Sequence, residues 1–285
     1  MIKELIKTTQ GSQYVRRALL AFVCWFSMPA GAATVYMNDF QTAVGAGWSS
    51  ADNTIGITQA PNDDFVRPFL GEFSNGTVSL SLTDLPEHVT TTVSFSLYLI
   101  RSWDGNDTTV VNDPLGQDIW SLGVAGGGLP LLSATFSNGN LAGQSYHGQF
   151  SLPGTQPSCS AYASWTGPAG SPPLSGANEC FSLGYTFSYP QGYVYPDGHT
   201  CTDPEGCPEA MDSVYNLSFT FAHNASDLAL NFSAAGLQGL ADESWGLDNV
   251  MVQVTPVPLP AAVWLFGSGL LGLISFAYKK RNRSF

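Results

Sequence analysis

Alternation of apolar and polar residues with a period of two dominates the segment 33–255, and no part of it has a sustained helical period. Such alternation is typical of β-strands with one buried face. Six runs show it, each bounded by Gly, Asn, Asp, Ser or Pro: 77–82, 89–100, 145–152, 181–187, 215–221 and 227–232. About 220 residues of short strands can bury a full core. We therefore predict an all-β fold, a single antiparallel β-sandwich of jelly-roll type.

One stretch interrupts this pattern. Between residues 153 and 208 the composition shifts to Pro, Gly, Ser and Tyr, and four of the five cysteines fall there. We interpret 153–208 as an insertion on the sandwich, pinned by disulfides, and not as a second domain.

The N-terminal end has a different composition. Residues 1–32 combine four basic residues with an apolar run at 18–28, a proline and the small residues at 30–32. This order is typical of a secretory signal peptide, and we predict cleavage after Ala32 or Ala33. The alternative, an uncleaved N-terminal anchor, is disfavoured because the apolar run is short.

The C-terminal end, 256–285, has three parts: a motif at 257–260, an uncharged stretch at 261–278 and a basic tail at 279–285. As a helix the uncharged stretch would be roughly 27 Å long, enough to cross the hydrocarbon core of a bilayer. The basic tail should stay cytoplasmic, which places the preceding residues outside. We predict one C-terminal transmembrane helix; a buried core helix is the alternative.

The motif is Val257, Pro258, Leu259 and Pro260, and with the span and basic tail it resembles the PEP-CTERM sorting signal of Gram-negative bacteria. Leu259 stands where the name-giving form has Glu, and the four residues resemble a common variant. The resemblance implies processing by an exosortase near the motif, in addition to signal peptidase at the other end. It also implies transient anchoring in the inner membrane, a final location at the cell surface or outside the cell, and a host that makes exopolysaccharide.

Charge separates the middle of the chain from its ends. Only Arg67 and Arg101, of ten basic residues, lie in 33–255, together with twenty-one of the twenty-two acidic residues. The formal charge of this segment is therefore −19, which disfavours nucleic acid and anionic membranes as partners. Clustered carboxylates with Asn oxygens suit Ca²⁺. Simple solubility outside the cell accounts for most of the same charge.

The cysteines point to an oxidising compartment. Cys159, Cys180, Cys201 and Cys207 remain after signal-peptide removal, and an even number in an exported chain predicts two disulfides. Of three possible pairings we favour Cys159–Cys180 with Cys201–Cys207, because both close sequential local loops. A zinc site formed by His199, Cys201 and Cys207 is the alternative, disfavoured by oxidising export.

Oxygen ligands lie in the first and last predicted strands, at 34–40 (TVYMNDF) and 242–252 (DESWGLDNVMV). These strands resemble those of lectin-like and MAM-like jelly rolls, in which an acid after the first strand and one in the closing strand share a structural Ca²⁺. The resemblance implies Asp39 and Asp248 as ligands, with Asn38, Asp242 and Glu243 as further candidates. Ordinary strand-end acids are the alternative, since Ca²⁺ needs six to eight oxygens.

A second group follows the longest predicted strand, at 101–107 (RSWDGND), with two further aspartates at 113 and 118. Asp104, Asn106 and Asp107 lie on a Gly-containing turn that could direct several oxygens to one cation. Trp103, beside them, could stack on a sugar ring. A core tryptophan followed by an ordinary Asp-Gly turn is the alternative.

The sequence contains no Gly-x-Ser-x-Gly, no His-Glu-x-x-His and no phosphate-binding Gly-rich loop between a strand and a helix. We therefore predict an exported cell-surface or extracellular-matrix protein without enzymatic activity, with calcium-assisted binding of carbohydrate (exopolysaccharide) as the sharper form. The alternative is an exopolysaccharide hydrolase that uses a pair of carboxylates.

Overall fold

The computed structural model describes residues 31–51, 55–62, 67–106, 117–139, 142–159, 162, 170–195, 198–257 and 266–273. Residues 1–30 of the predicted signal peptide, most of the sorting motif and the basic tail lie outside this set. Residues 266–273, inside the predicted membrane span, form a short helix. Within the described residues, no helix has the length and apolar character needed to cross a membrane.

The segment Ala33–Val254 is one compact unit, and short antiparallel strands build it. They are β1 Ala33–Asn38, β2 Trp48–Ser50, β3 Ile57–Gln59, β4 Pro68–Phe73, β5 Gly76–Leu82, β6 His88–Arg101, β7 Ile119–Val124, β8 Leu132–Thr135, β9 Glu179–Cys180, β10 Thr186–Tyr189, β11 Cys207–Ala210, β12 Asp212–Ala222, β13 Leu228–Ala235 and β14 Glu243–Pro256.

These strands form two large sheets and a small hairpin. The first sheet has the order β3-β4-β14-β6-β12-β9, with β1 also paired to β14; the second has the order β2-β5-β13-β7-β8. Strands β10 and β11 form the hairpin. The prediction of an all-β fold built from antiparallel sheets is confirmed.

Aromatic side chains from both sheets meet in one core. The ring of Phe95 on β6 lies 5.4 Å from that of Phe232 on β13 and 5.7 Å from that of Trp120 on β7, measured between centroids. All three side chains are buried, and they belong to one cluster that includes residues of both sheets. The two sheets therefore face each other across a shared apolar layer, as in a β-sandwich.

Four of the six alternating runs lie in β5, β6, β12 and β13, but two do not form the predicted strands. In 145–152, Gly148 has φ +92° and its carbonyl accepts from the N–H of Ser151, so the chain turns there. In 181–187, only the last two residues are in a strand. Three earlier N–H groups donate to the carboxylate of Asp212 instead of to a neighbouring strand: Ser182, Leu183 and Tyr185.

Both disulfides lie in or beside the stretch 153–208. Cys159 pairs with Cys180, and Cys201 pairs with Cys207, which is the sequential pairing that the sequence favours. The zinc alternative is wrong, because Cys201 and Cys207 are bonded to each other and offer no thiolate. The stretch is joined to the sandwich through β9, which pairs with β12.

Candidate metal centre

Three carboxylates from distant parts of the chain meet at one end of the sandwich. Asp104 lies three residues after β6 ends, Asp118 immediately precedes β7, and Glu243 is the first residue of β14. One oxygen from each can be chosen so that all lie within 4.8 Å of one another. Because β6 and β14 belong to the first sheet and β7 to the second, this triad joins the two sheets.

A tight turn fixes the first two carboxylates. The backbone N–H of Asp104 donates to Oδ2 of Asp118, and the N–H of Asp118 donates to the carbonyl of Gly105 at 3.3 Å. Gly105 has φ +67°, and a Cβ there would lie 2.8 Å from the Cβ of Ser137. Only glycine satisfies both conditions, so the Asp-Gly turn of the sequence has a backbone reason and also orients Asp104.

Contacts between the end of β6 and the start of β14 fix the third carboxylate. The N–H of Ser102 donates to the carbonyl of Asp242 at 3.0 Å, and Nε1 of Trp103 donates to the carbonyl of Ser244 at 2.8 Å. Glu243 lies between these two acceptors in the chain. Its position relative to Asp104 is therefore set by buried hydrogen bonds on either side.

Burial makes the charge of the triad costly. Asp118 and Glu243 are fully buried, and Asp104 is partly exposed. Burial raises the pKa of Asp118, and burial together with the charge of Asp118 raises the pKa of Glu243 well above its usual range. Two ionised carboxylates whose oxygens lie within 4.8 Å of each other repel by roughly 3 kcal/mol or more at an effective dielectric constant of about 20. A proton or a cation must compensate this repulsion.

One oxygen of the triad is left without a donor. With both carboxylates ionised, Oδ1 of Asp118 is buried and has no hydrogen-bond partner among the described residues. Oε2 of Glu243 accepts from the N–H of Gln238 at 2.7 Å. The side-chain amide of Gln238 also faces the carboxylate of Glu243, and with its nitrogen turned to that carboxylate it donates to both oxygens.

The donor set fits a hard divalent cation. Carboxylate oxygens are among the ligands that Ca²⁺ prefers, and its irregular coordination tolerates a site built from loop and strand ends. The group contains no nitrogen or sulfur ligand of the kind that zinc prefers. A cation here would neutralise the repulsion among buried carboxylates and give Oδ1 of Asp118 a partner.

The first predicted set of ligands is divided among different contacts. The side chain of Asn38 closes a turn, accepting from the N–H of Phe40 and donating to the carbonyl of Val44, both at 2.8 Å. Asp39 is exposed. Asp248 is buried and accepts from the hydroxyl of Tyr98 at 2.9 Å; burial, and to a smaller extent the charge of nearby Asp39, raises its pKa.

The remaining members of that set lie at the end of the sandwich where the triad is. Asp242 accepts a hydrogen bond from the hydroxyl of Ser102, while its neighbour Glu243 is a member of the triad. The structure therefore places Glu243 beside residues of the second predicted set and not beside Asp39.

The second predicted set contributes Asp104 alone. Asn106 accepts from the hydroxyl of Thr135, and Asp107 lies outside the described residues. The prediction that Trp103 stacks on a sugar is wrong in this structure. Its side chain is fully buried in the core, with its N–H bonded to Ser244, so no ring face is open to a ligand.

From the sequence, Asp118 has no assigned role, and Asp104 and Glu243 belong to two separate candidate calcium sites. Asp118 could have been singled out from its position, because it directly precedes a strand, and acids next to strand ends are common ligands. Asp104 is in a similar position, three residues after the end of β6. Nothing in the spacing shows that these strand ends lie at the same end of the sandwich, because that depends on the order of strands in the two sheets.

No protein-family model matches the chain, and no curated protein matches it. Among solved structures, the chain is similar to the crystal structure of the K3 cleaved adhesin domain of Lys-gingipain from Porphyromonas gingivalis. The identity is 13%, the match covers 77% of this chain and 98% of that chain, and the TM-score is 0.34. A likeness at this level bears on neither the function nor the ligands of this chain.

Proposed function

We propose that the chain is an exported cell-surface or extracellular-matrix protein, without enzymatic activity, whose β-sandwich is stabilised by Ca²⁺ bound to Asp104, Asp118 and Glu243. The observation that carries this proposal is the convergence of three carboxylates, two of them fully buried, in which Oδ1 of Asp118 has no donor among the described residues unless Glu243 holds a proton. A bound cation gives this oxygen a partner and reduces the repulsion among the carboxylates.

Export is supported by the two disulfides and by the two ends of the sequence. Disulfides persist in oxidising compartments outside the cytoplasm. In this proposal, signal peptidase acts after Ala32 or Ala33, the helix within 261–278 anchors the chain for a time, and an exosortase cuts near Val257. Intact-mass measurement of the mature surface protein tests this step. We expect a C-terminus near 257–260, and retention of residues 261–285 would contradict exosortase processing.

The alternative of a polysaccharide hydrolase gains no support from the described residues. The carboxylates of Asp118 and Glu243 are fully buried, so a polymer cannot reach them. Two surface clefts formed by described residues share Glu72 and contain no other carboxylate in their linings. Glycoside hydrolysis ordinarily needs two carboxylates on either side of the scissile bond.

Thermal unfolding of the exported protein with Ca²⁺ or with a chelator tests the cation site. At a free Ca²⁺ concentration of about 100 Kd, binding adds about 2.7 kcal/mol to the free energy of unfolding, which is a rise in Tm of roughly 5–10 °C. In Asp118→Asn the Ca²⁺ response should disappear. The Tm of the chelated variant should be higher than that of the chelated wild type, since one buried negative charge is gone.

Asp248→Asn is the matched control. Asp248 is also a buried aspartate, and the sequence places it in a different calcium site, but in the structure it accepts hydrogen bonds from Tyr98 and Asn249. This variant should keep the full Ca²⁺ response. A wild-type Tm that is the same in Ca²⁺ and in chelator would refute the proposal.

A further inference from the structure

A polar cleft lies beside the metal centre, on the first sheet. It has a volume of about 340 Å³ and is lined by Thr58 and Gln59 of β3, Glu72 of β4, Arg101 at the end of β6, and Tyr185. This volume is at the lower end of the range for small-molecule sites. Hydroxyl, amide, guanidinium and carboxylate groups share its lining with apolar surface, including Pro61 and the ring of Tyr185, so the ligand it fits combines polar groups with apolar faces.

Arg101 is held in this cleft by an unusual backbone conformation and by bonds through one nitrogen. Its φ is +68°, in the left-handed region that non-glycine residues rarely occupy and that persists where surrounding contacts impose it. Nη1 donates to Glu72 at 2.7 Å, to the carbonyl of Leu240 at 2.9 Å and to the hydroxyl of Ser244 at 3.0 Å. The guanidinium carbon lies 4.9 Å from the ring centroid of Tyr185.

The other nitrogens of Arg101 remain available. Neither Nε nor Nη2 has a hydrogen-bond acceptor among the described residues, and a fifth of the side chain is exposed. Across the cleft, Gln59 donates through Nε2 to the carbonyl of Ala60 at 3.2 Å, while no described residue donates to its Oε1. The cleft therefore offers both hydrogen-bond donors and an acceptor to a ligand.

Charge determines which polar ligands fit. Glu72 neutralises Arg101, and its two oxygens are occupied by Arg101, Ser244 and the hydroxyl of Tyr185 at 3.0 Å. The surrounding segment has a formal charge of −19, which repels anionic polymers. An uncharged ligand that both donates and accepts hydrogen bonds at several positions meets these conditions, and a neutral saccharide is such a ligand.

We infer that this cleft is a binding subsite for a neutral saccharide, in which Nε and Nη2 of Arg101 donate to sugar oxygens and Oε1 of Gln59 accepts from a hydroxyl. The same chain segments build the cleft and the metal centre: Arg101 precedes Asp104 by three residues, and Ser244 follows Glu243. A cation at the triad would hold both segments in place, so we expect tighter saccharide binding with Ca²⁺. This coupling alone rests on the proposed function.

Selective ¹⁵N-arginine labelling of the full chain gives a direct test, because it contains only six arginines. The variants Arg101→Lys and Arg67→Lys assign the two resonances of interest. Titration with a neutral β-glucan hexasaccharide should move the Nε–H signal of Arg101 saturably and leave that of Arg67 unmoved. Arg67 is the matched reference, since its Nη1 also donates to a glutamate, Glu179, at 2.7 Å.

The affinity for the neutral hexasaccharide should fall at least about tenfold in Arg101→Lys, because lysine cannot reproduce the planar set of N–H donors of the guanidinium. It should be unchanged in Arg67→Lys. A response of Arg101 to an oligogalacturonate of the same length but not to the neutral hexasaccharide would overturn the inference, as would no response to either. The cation proposal fails separately, if the Tm of the same sample is identical with Ca²⁺ and with chelator.

Discussion

The indole N–H of Trp103 donates to the backbone carbonyl of Ser244 at 2.8 Å in the buried interior of the sandwich. On the same residue, the hydroxyl of Ser244 donates to Glu72 at 2.7 Å. Ser244 thus links the strand end that carries Asp104 to the strand that carries Glu243, and it also contacts the ion pair in the polar cleft. The carboxylate triad and the cleft depend on one set of buried hydrogen bonds.

Replacement of Trp103 by phenylalanine should show how much the hydrogen bond from Trp103 to Ser244 contributes to the free energy of unfolding. The variant keeps an aromatic ring but leaves the carbonyl of Ser244 buried without its donor. We expect the free energy of unfolding to fall by about 1–3 kcal/mol, measured by urea denaturation. Trp120→Phe is the control, since Nε1 of buried Trp120 has no partner among the described residues. Equal losses in the two variants would contradict this account of Trp103.

The two disulfides should have different effects when removed. Cys159–Cys180 connects the loop at 159 to β9, which pairs with β12 of the first sheet, so Cys159→Ser with Cys180→Ser should lower the global Tm. The chain-entropy estimate for a loop of this length is about 3 kcal/mol. Cys201–Cys207 closes a separation of six residues beside the β10–β11 hairpin.

We therefore expect Cys201→Ser with Cys207→Ser to change mainly local stability. Limited proteolysis should show faster cleavage within 186–210, while the global Tm changes less than in the other double variant. A larger loss of Tm from this pair than from Cys159 and Cys180 would show that the hairpin is part of the main cooperative unit.

The contact between His88 and His223 should make the protein less stable in mild acid. Nε2 of buried His88 lies 2.8 Å from Nδ1 of His223, and Nδ1 of His88 lies 2.6 Å from the carbonyl of Pro86. Burial, and next the charge of His88, lower the pKa of His223. The unfolded chain therefore binds this proton more readily than the folded protein, and the contribution to stability is lost as the pH falls below about 6.5.

Comparison with His223→Gln isolates this effect from the buried carboxylates, whose raised pKa values have the opposite consequence. The Tm of the wild type relative to the variant should be lower at pH 5.5 than at pH 7.5. A Tm difference that is the same at both pH values would mean that His223 does not titrate differently in the folded and unfolded states.

Alternation in the sequence predicted strands that keep it, whether one face or both faces are buried. The run at 227–232 corresponds to the start of β13, where buried and partly exposed positions alternate; the run at 89–100 corresponds to β6, which is buried on both faces at 93–100. In contrast, β4 reads PFLGEF, which has no alternation to detect, and it is buried at nearly every position. In 181–187 the pattern was present, but the carboxylate of Asp212 took the backbone donors that a neighbouring strand would otherwise satisfy.

The candidate site was predictable only in its parts. The types of residue and the Asp-Gly turn predicted Asp104 as a candidate ligand, and the resemblance of the last strand to those of lectin-like jelly rolls predicted Glu243 as another. The position of β7 in the second sheet brings Asp118 to the end of the sandwich where β14 begins, and so places Asp118 beside Asp104 and Glu243. No periodicity or spacing carries that information, because it arises from pairing between strands far apart in the chain.

The most direct test of the central claim is a crystal structure of the exported protein grown with Ca²⁺, with anomalous scattering recorded from a Mn²⁺-soaked crystal. We predict one anomalous peak among Asp104, Asp118 and Glu243, with Oδ1 of Asp118 directed at it. A short hydrogen bond between a protonated Glu243 and Asp118, with no peak between them, would contradict the account.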